Sequence, residues 1–327
     1  VARAHQLKKP VRFWGSPDNP ATWKFLMGLK VVYINTDRIK DLAAYLDDPS
    51  VFTRETILDK MELRNDSMAL MPYNRIIRSA GSVVRFGLPD LENHALDVAA
   101  LPGGKSVVIE DRYGLVVLDI ISRKILQRWT FGNDPDHASF INNYSGIKVF
   151  QSGKRIFMAW GASSRDSEFS ALMLAEWKDT IMHPIAIPFK KVEPASNAIP
   201  NDVFIEQQHG ETYLYVVLNG NDQLAKVRLS DRSIIWQVST GMAPYGVTLA
   251  NRKIYVTNWA GERALDTTRE RAGIPWGAVY TDPRTGATSS GTVSVFDPVT
   301  GQNLQEIRVG LHPNAIRSGK DGRFVYV

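Results

Sequence analysis

Arginines and aromatic side chains crowd one stretch of this sequence, ERALDTTRERAGIPWGAVYTDPRTGATSS at residues 262–290, which carries Arg263, Arg269, Arg271, Trp276, Tyr280 and Arg284. Guanidinium groups fork onto phosphate or carboxylate oxygens, and tryptophan and tyrosine rings pair an apolar face with a polar edge. The set therefore suits an anionic or sugar-like ligand, although a loop of this length can equally brace a neighbouring domain. Asn258 and Trp259 stand just before it, at the end of a strand-like run. Near the start, Trp14, Asn35 and Asp37 mark the ends of two further strand-like runs. Six histidines, at 5, 94, 137, 183, 209 and 312, are dispersed and form no metal pair. The sequence has no cysteine, which excludes disulfide frameworks, thiolate metal sites and cysteine nucleophiles.

These residues must be positioned by a chain of 327 residues with 44% hydrophobic content, enough for a substantial core and about two domains. The net charge of +5 comes from 39 basic and 34 acidic residues scattered along the chain. Without a basic arm or stripe, nucleic acid is not an expected partner. The longest apolar run, around residues 113–121, is broken by Asp119 and is far shorter than the roughly 20 residues of a membrane span. The sequence starts without Met or an apolar leader and stops within a strand pattern, so a piece of a longer protein is expected.

Repeats organise most of the chain. His94 is followed by Val98 and then Gly104-Lys105, and His312 by Ile316 and then Gly322-Arg323, at the same offsets. IPNDV, APYGV and HPNAI share a three-residue step from proline to a β-branched residue. Repeat starts near 94, 144, 199, 243 and 312 lie 50, 55, 44 and 69 residues apart, the last interval holding the 262–290 insertion. His94 and His312 occupy equivalent positions, which favours a structural role at the start of a strand. Inside a repeat the period is two. The fourth reads as strands 245–250, 253–258, 291–296 and 303–309, and the third as 212–218, 223–228 and 233–239 after a first strand near 199. Four short antiparallel strands per repeat predict the blades of a β-propeller.

The opening differs. Asn19 before Pro20 can cap a helix with Trp23, Leu26 and Met27 on one stripe, ending near Gly28. VVYIN then reads as a buried parallel strand, and Asp37 can cap a second helix carrying Ile39, Leu42, Ala43 and Leu46. One such βαβα unit cannot cover both faces of its own strands. Residues 48–72 lack a clean strand period and read as a tether. The predicted organisation is an α/β piece over 1–47, a linker over 48–72 and a propeller over 73–327, mainly β overall.

IYVTNWAG at 254–261, together with LENHALD, LPGGK, YLYVVLNGNDQL, GTVSVFDP and VGLHPNAI, resembles the YVTN-type bacterial β-propellers of exported proteins that carry an alkaline-phosphatase-like phosphoesterase domain. That resemblance implies about seven blades, incomplete here, and residues 74–87 as outer strands of a closing blade. Residues 10–47 resemble the last two βα units of a glycerophosphodiester phosphodiesterase-like TIM barrel, Trp14 matching an exposed strand-borne tryptophan and Ile34-Asn-Thr-Asp37 the segment before the final helix. The sequence departs from that pattern at Lys30 and Val32, where the family has Gly and Asp.

The barrel resemblance implies an active-site border at Trp14, Asn35 and Asp37, with Trp14 as an aromatic wall, each residue also having a plain packing or capping role. Phosphodiester chemistry needs a general acid and base and, in this family, a divalent metal (Ca, Mg or Zn). Residues 1–47 contain one histidine and no glutamate, so no cofactor or metal site is expected in this chain, and it should be inactive by itself. The expected function is a propeller binding or scaffolding module of a larger exported phosphoric-ester hydrolase, periplasmic or extracellular. Its expected partners are neighbouring domains and an anionic or envelope ligand. The alternative expectation is a parent metal-dependent phosphodiesterase or alkaline-phosphatase-like phosphoesterase whose substrate the propeller positions.

Overall fold

Asn19 opens the first sustained helix as its residue type suggests: its side-chain oxygen accepts the N–H of Thr22 at 3.0 Å, and Pro20 occupies the first turn, where no intrahelical donor is needed. The computed structural model describes residues 1–13, 19–36, 38–48, 68–71, 75–78, 80–88, 91, 93–181, 184–274, 277–283, 287–288 and 290–327. They fall into two compact units, Val1–Arg85 and Phe86–Val327.

The first unit contains α1 (Ala2–Gln6), α2 (Pro20–Gly28), α3 (Ile39–Asp47) and an antiparallel hairpin of β1 (Met68–Met71) with β2 (Arg75–Arg78). A parallel bridge between Arg12 and Tyr33 flanks α2, the minimal form of the βαβ connection. Among its described residues Trp23, Leu26 and Tyr45 are the buried apolar ones, with the Trp23 and Tyr45 rings 5.6 Å apart. Met27, placed on the same stripe by its spacing, is exposed, as are Ile39, Ala43 and Leu46 of α3. The hairpin includes residues 68–71, from the segment whose sequence reads as a tether.

The second unit is built from four-stranded antiparallel sheets in sequence order. The first contains β3 (Ala95–Ala100), β4 (Ser106–Asp111), β5 (Gly114–Asp119) and β6 (Ile125–Thr130). In the second, the inner position is split between β7 (Phe140–Asn142) and β8 (Lys148–Ser152), both paired with β9 (Arg155–Ser164), followed by β10 (Ser170–Trp177) and β11 (Ile185–Phe189). The third is β12 (Pro200–Gln208), β13 (Glu211–Leu218), β14 (Gln223–Arg228) and β15 (Ile234–Ser239). The fourth begins with β16 (Met242–Ala250) and β17 (Lys253–Gly261). A separate hairpin, β18 (Arg271–Ile274) with β19 (Gly277–Tyr280), then interrupts it before β20 (Gly291–Phe296) and β21 (Asn303–Val309) complete the sheet. A pair of short strands, β22 (Arg317–Ser318) and β23 (Val325–Tyr326), follows.

The first strands stand side by side: β3 next to β8, β12 next to β8 and β16, β16 next to β22. Sheets of this kind packed face to face around their first strands are the blades of a β-propeller, and the chain is mainly β.

Alternation explains why strands such as YLYVVL carry apolar residues at every position. Leu214, Val216 and Leu218 face the second blade, where Ala159, Leu172 and Ile187 meet them; Tyr215 and Val217 face the fourth blade, against Val247, Ile254 and Phe296. In β9 the same division sends Met158, Trp160 and Ala162 towards the first blade and Phe157 and Ala159 towards the third. Each Val, Leu, Ile, Phe or Met side chain buried in this way contributes about 1.5–3 kcal/mol. The edges of the blades, by contrast, expose Ile121, Leu126 and Val299.

Candidate functional site

Four of the residues singled out by sequence, Trp14, Asp37, Trp276 and Arg284, lie outside the described residues. Asn35 is half-buried, and beside it the Thr36 hydroxyl accepts the Arg38 N–H at 2.9 Å. Arg38 pairs with Asp41 at 2.6 Å, which fastens the first turn of α3.

The propeller candidates are dispersed into packing roles. Asn258 is fully buried, its side-chain amide donating to Thr292 at 3.0 Å and to Ser294 at 2.8 Å. Trp259 packs on His312, ring centroids 4.6 Å apart, and burial lowers the His312 pKa. Arg263 donates to Asp222 at 3.2 Å, while Asp222 also accepts the Ala243 N–H at 2.7 Å. Tyr280 is buried beneath the Arg269 guanidinium, 3.5 Å from the ring centroid. The described part of the insertion thus lays Arg269 over its own Tyr280 and ties Arg263 to Asp222, in the turn between β13 and β14.

A concave site forms elsewhere, on the first three blades. A cavity of about 770 Å³ is bounded by residues ahead of β3, after β4, after β7, between β9 and β10, and ahead of β12; Arg112 and Arg165, the carboxylates Asp166 and Glu168, and His94, Asn143, Tyr144 and Asn197 contribute its larger polar side chains, and Glu168 is paired with Lys191 at 2.7 Å. Its walls are fixed from behind. Asn142, on β7, donates to the carbonyls of Asp111 at 2.6 Å and Gly114 at 2.8 Å and accepts the indole N–H of the buried Trp160 at 2.8 Å. Asn143 donates to the Pro200 carbonyl at 2.6 Å, and Asn197 to the Ser164 carbonyl at 3.2 Å. Gly161 is required here, because a Cβ would lie 2.1 Å from the Pro200 oxygen. The Tyr144 ring stacks with Tyr245 of the fourth blade, centroids 6.1 Å apart, and burial next to Tyr245 raises the Tyr144 pKa.

Two hydroxyls in this cavity are tied to other hydroxyls: Ser163 to Ser170 at 3.1 Å and Ser164 to Ser139 at 3.0 Å. Neither geometry is that of a nucleophile held by a base. Arginine, amide and tyrosine groups on a rigid wall serve recognition: cations for an anionic group, amides and an aromatic face for a hydroxyl-bearing one.

Beneath the cavity, the first strands meet around a buried carboxylate. One Asp202 oxygen accepts from the Val203 N–H at 3.0 Å and from Lys148 at 2.5 Å. The other accepts the Val247 N–H at 3.0 Å, and the Arg317 guanidinium stands 3.8 Å away. One side chain therefore joins β8, β12, β16 and β22. Asp97 does the equivalent on β3, accepting the Val98 N–H at 2.8 Å and the Gly146 N–H at 2.9 Å. Sequence reasoning aligned Pro200 with Val203 and passed over the acid between them, although an acid inside an inner-strand run, as in LDV and NDV, was the available signal.

Comparison with known proteins gives two kinds of similarity. The glycerophosphoryl diester phosphodiesterase family profile matches residues 10–38. No curated protein matches the chain. Among solved structures, hydrazine synthase of Kuenenia stuttgartiensis is similar at 11% identity and a TM-score of 0.45, over 76% of this chain and 57% of that one. The Dos1 propeller is similar at 10% identity and a TM-score of 0.41, over 80% of this chain and 55% of that one. The WD40 domain of SCAP from fission yeast is similar at 7% identity and a TM-score of 0.35, over 68% and 49%. The chain thus spans about half the length of these structures. At such values the likeness carries no argument about function, and the propeller architecture rests on the sheets themselves.

The divalent metal that the phosphodiesterase family implies does not fit the described residues: among them no group of three or more His, Asp or Glu side chains can hold a metal ion. Nor is any described helix long and apolar enough to cross a membrane.

Proposed function

We propose that this chain is the binding part of a larger phosphoric-ester hydrolase of the YVTN-propeller type, acting in the periplasm or outside the cell. In this reading the cavity on the first three blades holds a phosphodiester joined to a hydroxyl-bearing group, and chemistry resides elsewhere in the parent protein. The observation that carries it is the cavity of about 770 Å³, with Arg112 and Arg165 among its lining residues beside Asn143, Asn197 and Tyr144. Supporting it is the match of residues 10–38 to a phosphodiesterase family. The same match favours a second reading, a parent with metal-dependent phosphodiesterase activity whose substrate the propeller positions.

Titrating the chain with sn-glycero-3-phosphocholine in a calorimeter tests the first reading. Saturable binding that weakens severalfold in Arg165→Ala and Tyr144→Ala supports it, and absent binding removes it. In parallel, hydrolysis of the same compound is followed with calcium, magnesium or zinc; none is expected, and turnover at an enzymatic rate would replace the first reading with an active phosphodiesterase.

A further inference from the structure

Glu110 is fully buried near the end of β4, and neither of its carboxyl oxygens has a hydrogen-bond partner of good geometry. An ionised carboxylate in that position loses its hydration without replacement, a cost that proteins avoid by pairing the charge or neutralising it. The register pairs Glu110 with Asp97 across β3 and β4, so the two side chains stand on one face of the sheet. Each Asp97 carboxylate oxygen already accepts a backbone N–H, from Val98 and from Gly146.

The other charged groups facing Glu110 come from β8 and β12, and they already answer each other. Lys148 and Asp202 form an ion pair at 2.5 Å, and Arg317 of β22 approaches the same aspartate at 3.8 Å. By formal charge, Asp97 and Asp202 stand against Lys148 and the largely exposed Arg317, two of each sign. A third negative charge on Glu110 would leave this set one short of a cation.

We propose that Glu110 holds a proton in the folded chain at neutral pH, and that this proton is what allows the seam between the first and second blades to close around Asp97. The titration tendency of the group agrees. Burial first, then the charge of Asp97, pushes the Glu110 pKa from 4.5 up to about 8, with Asp202 acting in the same sense; the Ile147 N–H and Lys148 act in the opposite sense and only partly offset them. Asp111, the next residue, spans the same seam: its side chain accepts the His94 N–H at 2.9 Å and its carbonyl accepts from Asn142. Loss of the proton therefore strikes where the first blade is joined to the second, and where His94 and Arg112 border the cavity.

The sign of the pH dependence follows. Between the unfolded value of 4.5 and the folded value of about 8, the folded chain keeps a proton that the unfolded chain has lost. This contribution is fully present below the lower value, falls by about tenfold in the folding equilibrium per pH unit, and is gone above the upper one.

The test is urea unfolding of the full chain from about pH 5 to about pH 9, for the native sequence and Glu110→Gln, which keeps the shape and removes the titration. The native chain should lose stability with rising pH across this window, and Glu110→Gln should lose most of that slope. At the alkaline end the variant should exceed the native chain by on the order of a thousandfold in the folding equilibrium. Equal slopes in both proteins overturn the proposal. Should the variant not fold, the infrared spectrum of the native chain decides, since a protonated carboxyl at neutral pH gives a carbonyl-stretch band that disappears on alkalinisation; absence of that band also overturns it. Recovery of alkaline stability with sodium, potassium or calcium chloride but not choline chloride at equal ionic strength would mean that a metal cation, not a proton, occupies the site.

Discussion

The two units of this chain treat apolar side chains differently. In the propeller, β13 buries every residue from Leu214 to Leu218, because a blade stands against each face. In the N-terminal unit, Trp23, Leu26 and Tyr45 are buried while Phe25, Val32, Tyr33 and Leu46 are all more than half exposed. Repetition accounts for the contrast: a blade that cannot cover its own faces is covered by its copies. A single βαβα unit has no copies, and a parallel strand needs cover on both sides. Stability in the propeller is thus distributed over interfaces and gathered at the axis, whereas in the N-terminal unit it rests on a few local devices.

The sharpest way to break that comparison is Asp202→Ala. It leaves Lys148 without its partner and the Val203 and Val247 N–H groups without their acceptor, so a loss of about 3–5 kcal/mol in urea unfolding is expected. Asp202→Asn keeps one acceptor and should lose less. A loss no greater than that of a surface substitution would show that the axis does not tie the blades.

Asn19→Ala probes the local device of the other unit. Removing the cap of α2 should cost about 1 kcal/mol, read as a severalfold loss of hydrogen-exchange protection in the helix. If protection is unchanged, the helix is held by Trp23 and Leu26 rather than by its cap. Arg263→Ala comes last. Its bond to Asp222 is partly exposed, so a stability change within about 1 kcal/mol is expected in the same unfolding measurement. A larger loss would make the insertion part of the propeller's framework.

Much of the propeller was legible in the sequence because strand alternation and turn chemistry are local. Residues 223–228 and 291–296 are the observed β14 and β20, and 303–309 is β21. Asp297 orders the turn before β21 by accepting the Val299 and Thr300 N–H groups at 2.9 and 2.7 Å, as its residue type suggests. Asn19 caps α2 for an equally local reason, and the helix ends at Gly28 with Lys30 taking the left-handed conformation beyond it. The split of the second inner strand at Asn143–Ile147 was not legible. It depends on Gly146, whose missing Cβ would lie 2.5 Å from the Asn201 carbonyl of the next blade. Nor was the cavity legible: Arg112 and Arg165 are 53 positions apart and are brought to one wall only by blade packing.

The amino-acid sequence by itself determined the blades, since a period of two, turn residues and a recurring inner-strand pattern act over a few positions, and it determined that α2 starts at Asn19. Tertiary structure alone decided what the polar residues do. It turned Asn258 into a buried brace on Thr292 and Ser294 of another strand, tied Arg263 to Asp222 some 41 positions away, and laid Arg269 over Tyr280. It also placed Glu110 and Asp97 face to face and made Asp202 the meeting point of four strands. A charge's role depends on which other charges share its burial, and only the packing of neighbouring blades sets that.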